Sequence, residues 1–216
     1  MRAWRHLAHR AGMTTTTEST DLGIRRVGAA DRLAVATTIA AAFFDDPTTR
    51  WLIPDIERRR QLVEPLFALY ADAYIPHGNV YLTADNMGSA VWLTPGTELL
   101  TPEQGEAFGA AIQEVAGPDV ERLFQMEEIF TSHHPDEPYY YMQFLATVPA
   151  FQSRGIGSAF LRRMLAEADR EQKPAYHEAT TPRNRALYER HGYVNLGEFT
   201  LPDDGPPLWR MWRDPR

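Results

Sequence analysis

Cysteine is missing from the 216-residue chain altogether. Its absence excludes disulfides, a thiolate nucleophile and Cys-ligated metal together. Long apolar runs are missing too, and none approaches the ~20 residues that a membrane-spanning helix needs. Positive charge is the minority sign: 22 Lys and Arg against 29 Asp and Glu leave a formal net charge of −7. That balance argues against nucleic acid as a partner. Two phosphate-binding strings are also lacking. No G-x-x-x-x-G-K-[ST] loop occurs, and G-x-G-x-x-G fails because Phe160 stands where its third glycine belongs. Residues 1–20 begin basic and continue as a Thr/Ser run, without the apolar stretch of a secretory signal. They read as a disordered extension ahead of one domain over residues 21–216, with Met13 as an alternative start and the cytoplasm as the expected location.

What is present is ordinary in bulk and specific in one place. The chain is 44% apolar and 24% charged, as a soluble globular domain should be. The specific place runs from Phe144 to Ala168. Phe144, Leu145, Ala146, Thr147 and Val148 form a β-prone run that Pro149 ends. Gln152-Ser153-Arg154-Gly155-Ile156-Gly157-Ser158 follows as a turn. Beyond it, Ile156, Phe160, Leu161, Met164, Leu165 and Ala168 recur at the spacing of one helix face. Glycines at a helix start let backbone approach a ligand closely. The N–H groups of the first turn lack internal partners and carry partial positive charge. Strand, glycine turn and helix N-terminus together can cradle a phosphate, and Arg154 adds a formal positive charge.

The rest of the chain alternates strand and helix signals. Residues 22–27 read as a strand, and Asp31 as the cap of a helix through Phe44. Trp51 to Ile53 read as an apolar patch, and Ile56 to Tyr74 as a long amphipathic helix. Asn79–Thr83 and Ser89–Leu93 read as a hairpin across Asp85 to Gly88. Thr101 and Pro102 open one helix, and a second follows Gly117-Pro118-Asp119 and runs to about Phe130. Ala175–Ala179 is a short strand bearing Glu178. A helix through Tyr188 stops at Gly192, and Tyr193–Thr200 with Leu208–Trp212 make a last hairpin. His133 and His134 are adjacent, and neighbouring histidines rarely converge on one ion, so no metal is expected.

The string Gln152-x-x-Gly155-x-Gly157 after a strand resembles the acetyl-CoA signature of the GNAT superfamily of N-acyltransferases. The stretch from Glu178 to Val194 strengthens the resemblance, with Asn184, Leu187, Tyr188, Gly192 and Tyr193 where such chains carry N…(L/F)Y…G(F/Y). Within the superfamily the chain is most similar to the puromycin N-acetyltransferase-like group of actinobacterial members. AAAFFDDPTTRW, the AVW strand before TPG, HHPDEP-YYY and LYERHGY carry that likeness. The resemblance implies an α/β (α+β) fold with a mixed, mostly antiparallel sheet of six to seven strands and helices on both faces. It implies a splayed strand pair holding acetyl-CoA, by the backbone of Leu145, Ala146 and Thr147 and by the turn from Gln152 to Ser158. Asn184 and Leu187 would contact the same cofactor, and Tyr188 its sulfur. The first helices would wall the acceptor pocket, with Phe43, Trp51, Tyr70, His133 and Tyr141 as candidate linings; core packing or a plain surface loop is the other fate of these residues.

The implied reaction is acetyl transfer to a primary amine of a small molecule, such as an aminonucleoside or another antibiotic-like amine. An amine with a pKa near 10.4 costs about 4–5 kcal/mol to deprotonate at pH 7, and an α-amino group only about 1 kcal/mol. A base is needed more for the first. Glu178 is the candidate base, unless it is a surface carboxylate at a strand end, and Tyr188 the candidate acid for the leaving thiolate. A non-catalytic acyl-CoA-binding module and a protein N-acetyltransferase are the alternatives. The protein would be a monomer or homodimer.

Overall fold

The computed structural model describes residues 22–216, so the reading of residues 1–20 as an extension lies outside the described residues. Seven strands form one sheet: β1 (Arg25–Arg26), β2 (Val80–Leu82), β3 (Gly88–Leu93), β4 (Tyr140–Thr147), β5 (Ala175–Ala179), β6 (Val194–Thr200) and β7 (Pro207–Arg213). Their order across the sheet is β1-β2-β3-β4-β5-β7-β6, and every neighbouring pair is antiparallel except β4 with β5. That parallel pair is short. Only Tyr140 opposite Ala175 and Tyr141 opposite Tyr176 are in register. Beyond them the strands part, because β4 continues along β3 while β5 follows β7.

Seven helices clothe the sheet: α1 (Arg32–Phe43), α2 (Pro47–Leu52), α3 (Ile56–Tyr74), α4 (Pro102–Ala116), α5 (Val120–Ser132), α6 (Ile156–Arg170) and α7 (Pro182–Arg190). Strand periodicity sorts the two faces. Tyr81, Ala90, Trp92 and Met211 turn to the face covered by Phe160, Leu161, Met164 and Leu165 of α6 and Tyr188 of α7. Val80, Leu82, Val91 and Ala146 turn the other way, onto Val35 and Ile39 of α1 and Ala71 and Tyr74 of α3. A third apolar cluster joins α2, α3, α4 and α5 to Phe199, Leu201 and Leu208. This is the mixed, mostly antiparallel sheet of six to seven strands that the resemblance implied.

Three local readings are corrected or extended. The regular first strand covers Arg25–Arg26, flanked by the Val27 N–H bonded to the Val80 carbonyl and the Ala84 N–H bonded to the Leu22 carbonyl, each at 3.0 Å. Gly23 takes φ +53 and a Cβ there would meet the Ala84 Cβ at 2.8 Å, so the extended run is broken at its start. Asp31 does not cap α1 through its side chain. Its carboxylate accepts the Gly28 N–H at 3.1 Å and pairs with Arg25 at 2.7 Å, closing a 3-10 turn ahead of the helix. Trp51 and Leu52, read as part of an apolar patch, are buried in the third cluster and also belong to a helix, α2, which that reading did not assign. Asp46 caps it by accepting the Thr48 N–H at 2.9 Å, with Pro47 at the first position.

Candidate active site

The gap between β4 and β5 opens onto two connected hollows. The first is a polar groove at the start of α6. Gly155 stands at the N-cap with φ +86, and Ser153 two residues earlier has φ +64. Alternating left-handed residues turn successive N–H groups to one side, which makes an anion-binding concavity. From Ser153 to Ser158 no backbone N–H has an acceptor among the described residues; Ala159 is the first to bond, to the Gly155 carbonyl at 3.0 Å. The turn is braced from α7. Arg183 donates to Gln152 Oε1 at 2.6 Å and to Ser153 Oγ at 2.9 Å. Gln152 Nε2 in turn donates to the Thr147 carbonyl at 3.3 Å. Arg183 and Arg190 both line the groove. Unpaired amides, a hydroxyl and two guanidiniums are a donor set that fits the pyrophosphate of a CoA thioester.

The second hollow, a cavity of about 170 Å3, lies deeper, between α3, α5 and the diverging strands. Phe67, Tyr70 and Phe144 pack edge to face along one side. Glu178 projects from β5 with only 3% of its side chain exposed. Its Oε2 accepts the Tyr141 hydroxyl at 3.0 Å, the diagonal cross-strand neighbour that the β4–β5 register provides. Its Oε1 stands 3.4 Å from His134 Nε2, yet the two are not aligned, and both atoms lack a hydrogen-bond partner. Tyr139 and Tyr176 pack against the same histidine ring. Glu127 of α5 also faces the cavity, accepting the Tyr70 hydroxyl at 2.7 Å. Burial raises the Glu127 carboxyl above its ordinary range, and the Glu178 charge raises it further.

Four residues line both hollows: Phe43, Leu145, Asn184 and Tyr188. Asn184 is fixed by Thr180, whose hydroxyl accepts its amide at 3.4 Å and donates to Asp46 at 2.6 Å. Tyr188 sits one helical turn on. Burial, then the Asp46 and Glu178 charges, raise its phenol well above the usual value, so the hydroxyl stays protonated at neutral pH. His177, wholly buried, packs its ring 3.8 Å from that of Tyr188, and burial holds it neutral with a pKa of about 3.

The residues singled out in the sequence are distributed unevenly. Thr147, Gln152, Ser153, Gly155, Ile156, Gly157, Ser158 and Leu187 line the groove, while Tyr70, Tyr141 and Glu178 line the cavity. Arg154 instead lays its guanidinium 4.8 Å over the Phe151 ring. Ala146 is buried on the α1 side of the sheet. Trp51 turns away from the cavity and donates its indole N–H to the Pro202 carbonyl at 2.9 Å. His133 stacks on Phe199 with ring centroids 4.0 Å apart, and its neighbour His134 takes the cavity position. Arg183, Arg190, Glu127 and His134 were missed. For Arg183 a signal existed, since it precedes Asn184 in the first turn of α7; Glu127 had none, being one of several acids on an amphipathic helix.

Residues 121–195 match a family model described as the acetyltransferase (GNAT) domain. The segment contains the turn, Glu178 and Tyr188. The chain is 23% identical over 209 residues to an uncharacterized N-acetyltransferase of Schizosaccharomyces pombe, covering 90% of this chain and 84% of that one. Among solved structures it resembles one described as histone acetyltransferase HPA2 and related acetyltransferase from Corynebacterium glutamicum. That likeness has a TM-score of 0.69 and 27% identity, and covers 89% of this chain and 96% of the other. Arylalkylamine N-acetyltransferase 2 from Aedes aegypti matches with a TM-score of 0.62 over 89% and 98% of the two chains, at 11% identity, a likeness of fold. Family model, curated relative and solved structure together support a GNAT acetyltransferase domain and, with it, an acyltransferase enzyme.

Proposed function

We propose that the protein is an acetyl-CoA-dependent N-acetyltransferase that acetylates a primary amine of a small molecule by direct attack, with both substrates bound at once. The observation that carries this reading is the sharing of Phe43, Leu145, Asn184 and Tyr188 between the anion-binding groove and the buried cavity. A thioester whose pyrophosphate rests on the turn would present its sulfur where an amine in the cavity can reach it. Acetyl-CoA supplies the activated acetyl group; the chain supplies everything else. Gly155 and its neighbours hold the diphosphate through N–H groups, and Leu145 to Thr147 offer strand backbone along the splay. Glu178 takes the proton that the amine must lose as its nitrogen bonds to the acetyl carbon. Tyr188 gives a proton to the departing sulfur as the C–S bond breaks, so that an N-acetyl amine and free CoA result.

An aminonucleoside or similar antibiotic-like acceptor, as the likeness to the puromycin-acetylating group suggests, is consistent with the aromatic side of the cavity. The test is calorimetric titration with acetyl-CoA, with 3′-dephospho-CoA alongside, followed by assay of CoA release with a panel of amines, puromycin included. One-site binding and amine-dependent release support the reading. Absence of binding at millimolar acetyl-CoA would overturn it.

A further inference from the structure

Two carboxylates face the cavity from different elements, and one of them has no cationic side chain beside it among the described residues. Glu178 comes from β5 and Glu127 from α5, and no Lys or Arg is among the residues lining the space between. Carboxylates withdrawn from water without a cation are costly. Glu178 meets that cost in part, with His134 Nε2 3.4 Å from its Oε1 and Arg210 opposite it on β7. Glu127 has one neutral donor, Tyr70, and lies in a wall otherwise made of Leu66, Leu123, Met126 and Phe130. Apolar surroundings with charged groups at separate points describe a ligand with an apolar middle and cationic ends. Phe67, Tyr70 and Phe144 can receive such a middle on their faces and edges.

We propose that Glu127 is a recognition subsite for a second protonated nitrogen of the acceptor, and that the preferred substrates are diamines with a short aryl or alkyl body. One nitrogen rests at Glu127 while the other meets Glu178 beside Tyr188. The inference builds on the amine-acetylating reading above and narrows its substrate class.

The test uses a matched pair of probes, 4-methylbenzylamine and 4-(aminomethyl)benzylamine, which differ in a methyl group against a second aminomethyl group. Each is assayed for acetyl-CoA-dependent CoA release and, separately, titrated calorimetrically into the protein without acetyl-CoA. The wild type is expected to favour the diamine at least tenfold in kcat/KM, mostly through KM, and to bind it at least tenfold more tightly. Glu127→Gln should bring both ratios close to one. A wild-type ratio near one, in turnover or in binding, overturns the proposal without recourse to any variant. So does a tenfold preference that survives in Glu127→Gln. Glu127-dependent diamine binding with no CoA release would leave the subsite standing and remove the acetyltransfer reading; CoA release equal for both amines would do the reverse.

Discussion

In the proposed reaction Glu178 and Tyr188 would move protons in opposite directions, and their surroundings differ. Glu178 keeps one oxygen on the Tyr141 hydroxyl and leaves the other without a hydrogen bond, 3.4 Å from His134 Nε2, which suits the proposed acceptance of a proton. Tyr188 is buried, and its phenol is raised and stays protonated. We expect Glu178→Gln to lower kcat about 10²-fold at pH 7 with an alkylamine acceptor. The deficit should shrink as pH approaches the pKa of the amine, which then needs no base. A pH–rate profile of CoA release checks this, and a deficit constant with pH would remove Glu178 from proton transfer. Tyr188→Phe should lower turnover and leave acetyl-CoA affinity nearly unchanged, which turnover assay and calorimetry compared in one preparation would show. The strand and helix that carry them were legible, with Glu178 four residues after Pro174 and Tyr188 four after Asn184; their roles came from the resemblance. Glu127 and His134 were not legible. An acid on an amphipathic helix declares no direction, and of two adjacent histidines only packing decides which turns inward: Phe199 captures His133, leaving His134 for the cavity.

Among the elements, α6 matters most, and its approach to the sheet is set by one glycine. A Cβ on Gly88 of β3 would stand 2.4 Å from Ile156 Cγ2 and 3.0 Å from Phe160 Cε2. Gly88→Ala should therefore push the first turn of α6 outward and destabilise the fold by about 1–3 kcal/mol. Because that turn carries the unpaired amides, acetyl-CoA binding should weaken as well. Urea unfolding and calorimetry measure the two effects; full affinity in a destabilised variant would separate the turn from the packing beneath it. Elements with strong end signals were legible. Helix α4 begins at Thr101 and Pro102 with a complete capping box, and β5 spans Ala175–Ala179 as read. Helix α2 was not, since six residues give no periodicity and Asp46 looked like the end of α1. The extent of the β4–β5 parting was also beyond the sequence, because it depends on which strand each partner follows.

At the scale of the molecule, Asp169 gathers three distant parts of the chain. It takes two hydrogen bonds from Arg213 of β7, at 2.7 and 2.9 Å, and one from the backbone N–H of Arg216, at 2.8 Å. Arg213 also donates to the His191 carbonyl at 3.1 Å and is 5% exposed. The Arg213 hydrogen bonds hold the Asp169 carboxyl below the usual carboxylate range. A depressed folded-state pKa stabilises above the unfolded-state value near 3.9 and is lost as pH falls through the folded one. Asp169→Asn should cost about 1.5–3 kcal/mol at pH 7. The gap to wild type should close on acidification toward pH 3, as urea midpoints across that range would reveal; a gap independent of pH would contradict the pairing. The overall architecture was legible through the resemblance that the Gln152–Gly157 turn and the Asn184–Tyr193 stretch carry, while periodicity placed the separate elements along the chain.

The cations at the groove, Arg183 and Arg190, are both guanidiniums, and Lys173, exposed in the turn after α6, is the chain's single lysine. A thioester is an acylating reagent toward any free amine it can reach. Guanidiniums keep their protons at neutral pH and offer no lone pair. A donor lodged in this groove would meet side chains that bind its charge and ignore its reactivity. The groove's own cations give a bound donor no amine to acylate.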